Sequence, residues 1–331
     1  MFFILGPTAI GKSEIAAEVA SRCNAEIVGA DAFQIYAGLD LLTAKPGAAL
    51  REKVPHHLIG EIPLAQPFDA AQYRDLALVK IGRIEARGKR ALIVGGTGLY
   101  IRALTHGLSE LPKTSPVLRR KLDAMPLPQL QQTYATLDPK GYERIDRQNP
   151  RRLVRAIEVC LLTGQPCSSL RADWSGAETT PTAGDGVIVE RHRDDLYDRI
   201  DQRVRRMFAE GVIDEVRAAG QPGITAEQAI GYREIRDLLR GNLGVETCIA
   251  AIQQRTRQYA KRQLTWLRGG NSFFKINLTT HSQSEVTEII AQRILAGAAP
   301  GIVGPIISPI ISPIISPIIS PIISPIISPQ G

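Results

Sequence analysis

At 331 residues and 44% hydrophobic, the chain is long enough to bury one large core or two moderate ones, and a globular, soluble protein is expected. Its 40 Lys and Arg against 33 Asp and Glu leave a formal charge of +7, which admits a polyanionic partner without establishing one. Cys23, Cys160, Cys167 and Cys248 form no C-x-x-C pair, arguing against a zinc site or a disulfide framework; with only five apolar residues at the start and no apolar run near about 18 residues, a cytoplasmic protein with no membrane partner is expected.

The first predicted elements are the most informative. An apolar run, residues 1–5, leads into Gly6-Pro7-Thr8-Ala9-Ile10-Gly11-Lys12-Ser13 and then a helical pattern through Val19. Strand, glycine-rich loop and helix is the context in which G-x-x-x-x-G-K-[ST] acts as a phosphate cradle: backbone N–H groups and a helix N-terminus converge on the anion, Lys12 adds charge, and Ser13 can hold Mg²⁺. The loop alone does not say which phosphate compound it binds.

Residues 25–31 read as a buried strand ending in Asp31, followed by Ala32-Phe33-Gln34-Ile35-Tyr36. Ligands of parallel α/β sheets sit at the carboxyl ends of strands, so Asp31 is expected near the phosphate, as a Mg²⁺ ligand or as a base. Residues 42–46 and 55–60 read as loops, and His56 and His57 as structural, since neighbours on an extended chain point to opposite faces. A helix is expected over residues 69–87. The strand of residues 90–95 ends in Gly95-Gly96-Thr97 with no carboxylate, which weakens an NTP-hydrolase reading because a Walker-B acid is missing.

From Leu111 onwards prolines punctuate short helical stretches. Within them Asn149-Pro150 signals a helix start and Gly164 a stop, with Leu153, Val154, Ile157 and Leu161 as the apolar stripe. Arg151, Arg152 and Arg155 are either a solvated face or a nucleic-acid contact. Residues 184–190 return to the sheet. In the following helix Leu196, Ile200, Val204 and Met207 form the buried stripe, Arg203 falls at its edge facing inward, and Arg205 points away. Residues 230–234 pass from loop to helix, and a long helix carries Arg255, Arg257, Tyr259, Lys261, Arg262, Trp266 and Arg268 before Gly269-Gly270. Interleaved basic and aromatic residues suit RNA, or a solvated helix with a core Trp. The end of the chain, Pro-Ile-Ile-Ser repeated six times from Pro305, is expected to be extended or disordered.

The expected fold is therefore α/β: a P-loop NTPase-like parallel sheet flanked by helices, with residues 1–111 and 187–300 as core and C-terminal helices, 112–186 as a mostly helical insertion domain, and 301–331 as a low-complexity tail. In order, the motifs GPTAIGKS, DAFQIY with TAKP and PHHLIG, VGGTGLY, NPRRLVRAIEV, RIDQRV, AIGYRE and YAKRQLTWLR resemble those of the tRNA dimethylallyltransferases over roughly residues 2–275. The resemblance implies transfer of a dimethylallyl group from dimethylallyl diphosphate to N6 of adenosine 37 in tRNA, with Mg²⁺; nothing in the sequence demands more than a monomer.

Carried onto this chain, it implies that Gly6 to Ser13 hold the donor diphosphate, that Asp31 is the general base, that Thr97 is its partner and that Arg203 is a diphosphate ligand. It implies tRNA contacts at Asp31, Ala32, Phe33 and Gln34, at Arg119, at Arg151, Arg152, Leu153, Val154 and Arg155, at Gly231, Tyr232 and Arg233, and at Lys261, Arg262, Gln263, Trp266 and Arg268. The insertion is the candidate clamp around the anticodon loop. Three positions depart from the family pattern: Ala32 replaces a Ser, Leu42 a Gly and Gly60 an Asp. A small-molecule P-loop kinase, an RNA-binding protein without activity and an isopentenyltransferase acting on free adenine nucleotides are the alternatives.

Overall fold

The computed structural model describes residues 1–108, 111–170, 185–269 and 273–297. Gly184, Gly270, the end of the expected insertion and the Pro-Ile-Ile-Ser repeat lie outside the described residues. Two compact units emerge: one takes the described residues of Met1–Leu104 and Ala183–Gly331, the other those of Thr105–Thr182.

The first unit is built on six parallel strands: β1 Phe2–Leu5, β2 Ala25–Ala30, β3 His56–His57, β4 Arg90–Gly95, β5 Asp185–Glu190 and β6 Phe274–Asn277, in the order β3-β2-β4-β1-β5-β6. β1, β2 and β4 are apolar and almost wholly buried, as expected of strands covered on both faces. Helices α1 Lys12–Arg22, α2 Ala48–Lys53, α3 Ala70–Glu85 and α4 Gly98–His106 connect the first strands; α5 Pro116–Asp123, α6 Leu127–Leu137, α7 Pro139–Arg144 and α8 Pro150–Thr163 form the second unit; α9 Arg193–Ala209, α10 Val212–Ala218, α11 Tyr232–Leu239, α12 Val245–Arg268 and α13 Gln283–Ala296 follow β5. Ile15 and Val19 of α1 with Val286 and Ile290 of α13 pack against Ile4, Ile27, Leu92 and Val187 of the sheet. The strand order places the ends of β2, β4 and β1 side by side, about 4.8 Å apart. Asp31, Thr97 and the glycine loop follow directly from those three ends.

Residues 55–60 correct the sequence reading, because His56 and His57 pair with Ile27 and Val28 as an edge strand instead of a loop. The His57 imidazole meets the buried Glu26 carboxylate at 2.7 Å, and Arg87 and Lys89 also bind it. This satisfies a carboxylate under the sheet and matches the structural reading of the pair.

The second unit is helical. Ser115 and Asn149 cap α5 and α8, Pro150 occupies the first position of α8, and Gly164 ends it at a φ of 68°. Leu153, Val154 and Ile157 are buried with Leu122, Leu130 and Tyr134. Leu161, expected in that stripe, is 49% exposed. The returning chain sets Cys167 against Cys160, its N–H 3.2 Å from Cys160 Sγ, and so closes the core before the last turn of α8. The wholly buried Glu158 accepts from Arg119 Nη2 at 2.5 Å, Arg155 Nη1 at 2.7 Å and Ser115 N at 3.0 Å. These donors hold its carboxyl below the usual range against the opposing effect of burial.

Candidate active site

The glycine loop leaves β1 and enters α1 through Gly11, whose φ of +96° lies in the left-handed region that a side chain rarely adopts. Arg199 Nε and Arg191 Nε bind the carbonyls of Ala9 and Ile10 at 3.1 and 3.2 Å. Because a trans peptide sets C=O and N–H in opposite directions, those bonds turn the N–H groups of Ile10 and Gly11 away from the two cations. No side chain caps α1, so its first N–H groups can meet an anion. Lys12 Nζ donates to Pro7 O at 2.6 Å. Burial lowers its pKa to about 8, with Asp31 opposing and Arg203 adding to the shift.

At the end of β2 the Asp31 carboxylate accepts from Phe33 N at 2.9 Å and Gln34 N at 3.3 Å through Oδ1. The Thr97 hydroxyl, beyond the end of β4, accepts from Ala32 N at 3.0 Å. Gln34 spends its amide on Thr43 O and Ala44 O, tethering the following loop over the site.

The loop, Asp31 and α9 enclose a cleft of about 230 Å³. Lys12, Arg199, Arg203 and Arg206 line it against two carboxylates, Asp31 and Glu14, so the cleft is cationic. Arg203 Nε is buried with no hydrogen-bond partner, an unused donor beside the loop. Burial also lowers the Arg203 guanidinium to about 10, with Asp31 opposing. Arg205 is exposed and pairs with Glu246, as its place on the helix predicts. A second cavity of about 40 Å³ shares Thr8, Asp31 and Arg203 with the cleft; Leu42, Val204, Met207, Ile230 and Ile252 give it one apolar wall, and Thr43, Thr256 and Tyr259 also border it.

The site thus joins an anion cradle to a carboxylate and an apolar recess. A family model described as IPP transferase matches residues 34–270. The chain belongs to the IPP transferase family. It is 38% identical over 293 residues to a tRNA dimethylallyltransferase of Akkermansia muciniphila, covering 88% of this chain and 97% of the relative, and 44% identical over 277 residues to one of Geobacter metallireducens, covering 81% and 89%. Among solved structures, the full-length tRNA isopentenylpyrophosphate transferase of Bacillus halodurans superposes with a TM-score of 0.63 at 33% identity, covering 89% of this chain and 96% of that one.

Within this member of the family, Thr8 to Ser13, Asp31, Gln34 and Arg203 line one cleft, Gly6 and Pro7 lead the loop into it, Thr97 meets Ala32 beside Asp31, and Phe33 borders the adjoining recess. Leu153 and Val154 do not suit the tRNA contacts expected of them, because their side chains fill the core of the second unit. Arg119 and Arg155 are bound to Glu158, while Arg152 is exposed. Tyr232 is buried in a second core of the first unit, whereas Arg233 is exposed. Gln263 is 5% exposed and bonds to Thr8 and Gly96, and Trp266 packs on Gly98, so both are engaged within the first unit; Lys261, Arg262 and Arg268 of the same helix are exposed.

The sequence reading missed Arg199, Gln202 and Arg206. Their spacing with Arg203, i, i+3, i+4, i+7, marks one helical face, a signal hidden beside the stronger apolar stripe. Of the departures, Ala32 still presents its N–H to Thr97, Leu42 is buried against the Gly231 turn, and Gly60 adopts a left-handed φ of +68° near Lys45.

Among the described residues no helix is long and apolar enough to cross a membrane, and no cluster of three or more His, Cys, Asp and Glu forms a metal centre. Ser13 and Asp31 nevertheless offer a hydroxyl and a carboxylate to the same cleft. Hard oxygen donors of this kind fit Mg²⁺, which keeps several waters and is held largely by substrate phosphates.

Proposed function

We propose that this chain transfers a dimethylallyl group from dimethylallyl diphosphate to N6 of adenosine 37 in tRNAs that read codons beginning with U, releasing diphosphate. The observation that carries the reading is that Thr8, Asp31 and Arg203 border both the cationic cleft and the apolar recess. The diphosphate and the carbon chain of one donor thereby have adjoining places, with a carboxylate at their junction. Relatives named tRNA dimethylallyltransferase support the choice of donor and acceptor.

The N6 lone pair is delocalised into adenine and nucleophilically weak. As N6 bonds to the allylic carbon, the carbon–oxygen bond to diphosphate breaks with its electron pair leaving on oxygen, and Asp31 takes the N6 proton. Lys12, Arg203 and the N–H groups of the loop meet the charge that grows on the leaving group, preorganised before reaction. Ser13 would hold Mg²⁺ together with the donor's phosphate oxygens, and the ion, when bound, neutralises diphosphate charge. The exposed Arg152, Arg233, Lys261, Arg262 and Arg268 are the phosphate contacts for tRNA. One chain in the cytoplasm supplies every group this reading uses.

Labelled dimethylallyl diphosphate, Mg²⁺ and unmodified tRNA carrying A36-A37 test this reading. Label on adenosine 37 is the expected result. Label on free AMP alone, or phosphoryl transfer from ATP to a small hydroxyl compound without prenyl transfer, would overturn it in favour of an adenylate isopentenyltransferase or a kinase.

A further inference from the structure

Two side chains four residues apart on α12, Tyr259 and Gln263, share one helical face and reach into the sheet. Gln263 Oε1 accepts from Thr8 N at 2.9 Å, and its Nε2 donates to Gly96 O at 3.0 Å. One amide therefore bridges the phosphate loop after β1 to the end of β4. The Tyr259 side chain lies beside those of Gln263 and Thr97, and Thr97 Oγ1 in turn accepts from Ala32 N at 3.0 Å, next to Asp31. The path from Thr8 through Gln263, Tyr259 and Thr97 to Ala32 joins the loop that grips the diphosphate to the turn that carries the carboxylate.

The packing leaves this path little slack. A Cβ on Gly96 would sit 2.5 Å from Gln263 Nε2 and 2.5 Å from Gly6 O, and one on Gly98 would lie 2.3 Å from Trp266 Cδ2. Real Cβ contacts are not that short, so β4 ends in glycines where α12 lies directly on the strand ends. Tyr259, Gln263 and Trp266 recur at i, i+4 and i+7, a stripe turned to the site, while Lys261, Arg262 and Arg268 stay in solvent. Gln263 is nearly inaccessible, and both ends of its amide are used within the protein. The donor and acceptor it serves are main-chain groups, left unsatisfied if the amide is lost.

We propose that Gln263 is a positioning residue that fixes the separation between the diphosphate loop and Asp31, that Tyr259 braces it from the wall of the recess, and that neither contacts tRNA. The inference rests on the prenyl-transfer reading of the site. Neither residue handles a proton or a leaving group. Gln263 acts through Thr8 and Gly96 and Tyr259 from beside Thr97, and a misplacement of about 1 Å between reacting groups costs roughly a hundredfold in rate.

The test compares Gln263→Met, which keeps volume and apolar packing but removes the amide, with Tyr259→Phe, which removes one hydroxyl. For each, three quantities are measured: the single-turnover transfer rate at saturating donor and tRNA, the tRNA dissociation constant, and the dissociation constant of dimethylallyl diphosphate without tRNA. Gln263→Met is expected to lose roughly a hundredfold in saturated rate and to bind the donor several-fold more weakly, with tRNA affinity within about twofold. Tyr259→Phe is expected to lose about tenfold in saturated rate with both affinities unchanged.

A fall in tRNA affinity that matches the fall in rate would make these residues tRNA contacts and overturn the proposal. So would a saturated rate within about threefold of the parent in a variant that melts normally. If Gln263→Met does not fold, Tyr259→Phe decides alone by the same criteria. If the parent chain transfers nothing to tRNA, the prenyl-transfer reading has failed, and unchanged donor affinity in Gln263→Met then removes the bridge to the loop as well.

Discussion

Lys12 gives a prediction that can be worked through from the site. Within the cleft, burial lowers its pKa from 10.5 to about 8, despite the help of Asp31 and with a further push from Arg203. A bound diphosphate brings negative charge against the ammonium and favours its protonated form. Above about pH 8 the empty protein has therefore lost a proton that the complex regains, and donor affinity should fall about tenfold for each further pH unit. For a group titrating at about 8 the ratio of dissociation constants between pH 9.5 and pH 7.5 is about 25-fold. The donor's own phosphate, titrating near pH 6, is fully ionised throughout.

The assay is titration of dimethylallyl diphosphate without tRNA from pH 7 to 9.5, read by calorimetry in two buffers of different ionisation enthalpy, so that proton uptake is counted directly. Lys12→Met should bind weakly and without the slope. An affinity that stays constant to pH 9.5 in the parent would refute the account of Lys12. The same shift fixes a sign for folding: between about pH 8 and 10.5 the unfolded chain holds the Lys12 proton and the native state does not, so the lysine's destabilising contribution is relieved as pH rises.

In Gly98→Ala the new Cβ would lie 2.3 Å from Trp266 Cδ2, so the indole must shift at about 1–3 kcal/mol of overpacking, measured by urea unfolding; an unchanged midpoint would show that α12 gives way freely. Glu158→Ala strands the Arg119 and Arg155 guanidiniums, each about a quarter exposed, and should cost about 3 kcal/mol, the lower end for breaking a buried pair. Because the Glu158 carboxyl is held below its ordinary range, its contribution should be full above about pH 4.5 and vanish as the solution is acidified through its native pKa; an acid unfolding curve identical in parent and variant would contradict this.

The sheet and the site's ends were legible because each carries a local signal. The glycine loop declares itself between a five-residue apolar run and a helix, and the strands ending at Asp31 and at Gly96-Thr97 are short apolar runs closed by polar or small residues. Arg203 was placed by periodicity alone, since an arginine at the margin of a buried stripe must turn inward while Arg205 stays in water. What could not be read was pairing over distance. His56 and His57 become a strand only because β2 offers an edge, and Gln263 serves Thr8, 255 residues away, through an amide that looks like any polar residue of a basic helix. Leu153 and Val154 show the converse limit: a motif names a segment, but helix geometry divides it into a face for the core and a face for a partner.

The central claim, that Asp31 takes the N6 proton at the boundary between the diphosphate cleft and the apolar recess, is tested most directly with Asp31→Asn. Asparagine keeps an Oδ1 acceptor for Phe33 N and Gln34 N, so the turn is preserved while the basic oxygen is lost. Measured at saturating dimethylallyl diphosphate and tRNA, single-turnover transfer should fall by about a hundredfold to ten-thousandfold, the range for a general base, with the tRNA dissociation constant within about threefold of the parent. A saturated rate equal to the parent's, or a loss confined to tRNA affinity, would contradict it.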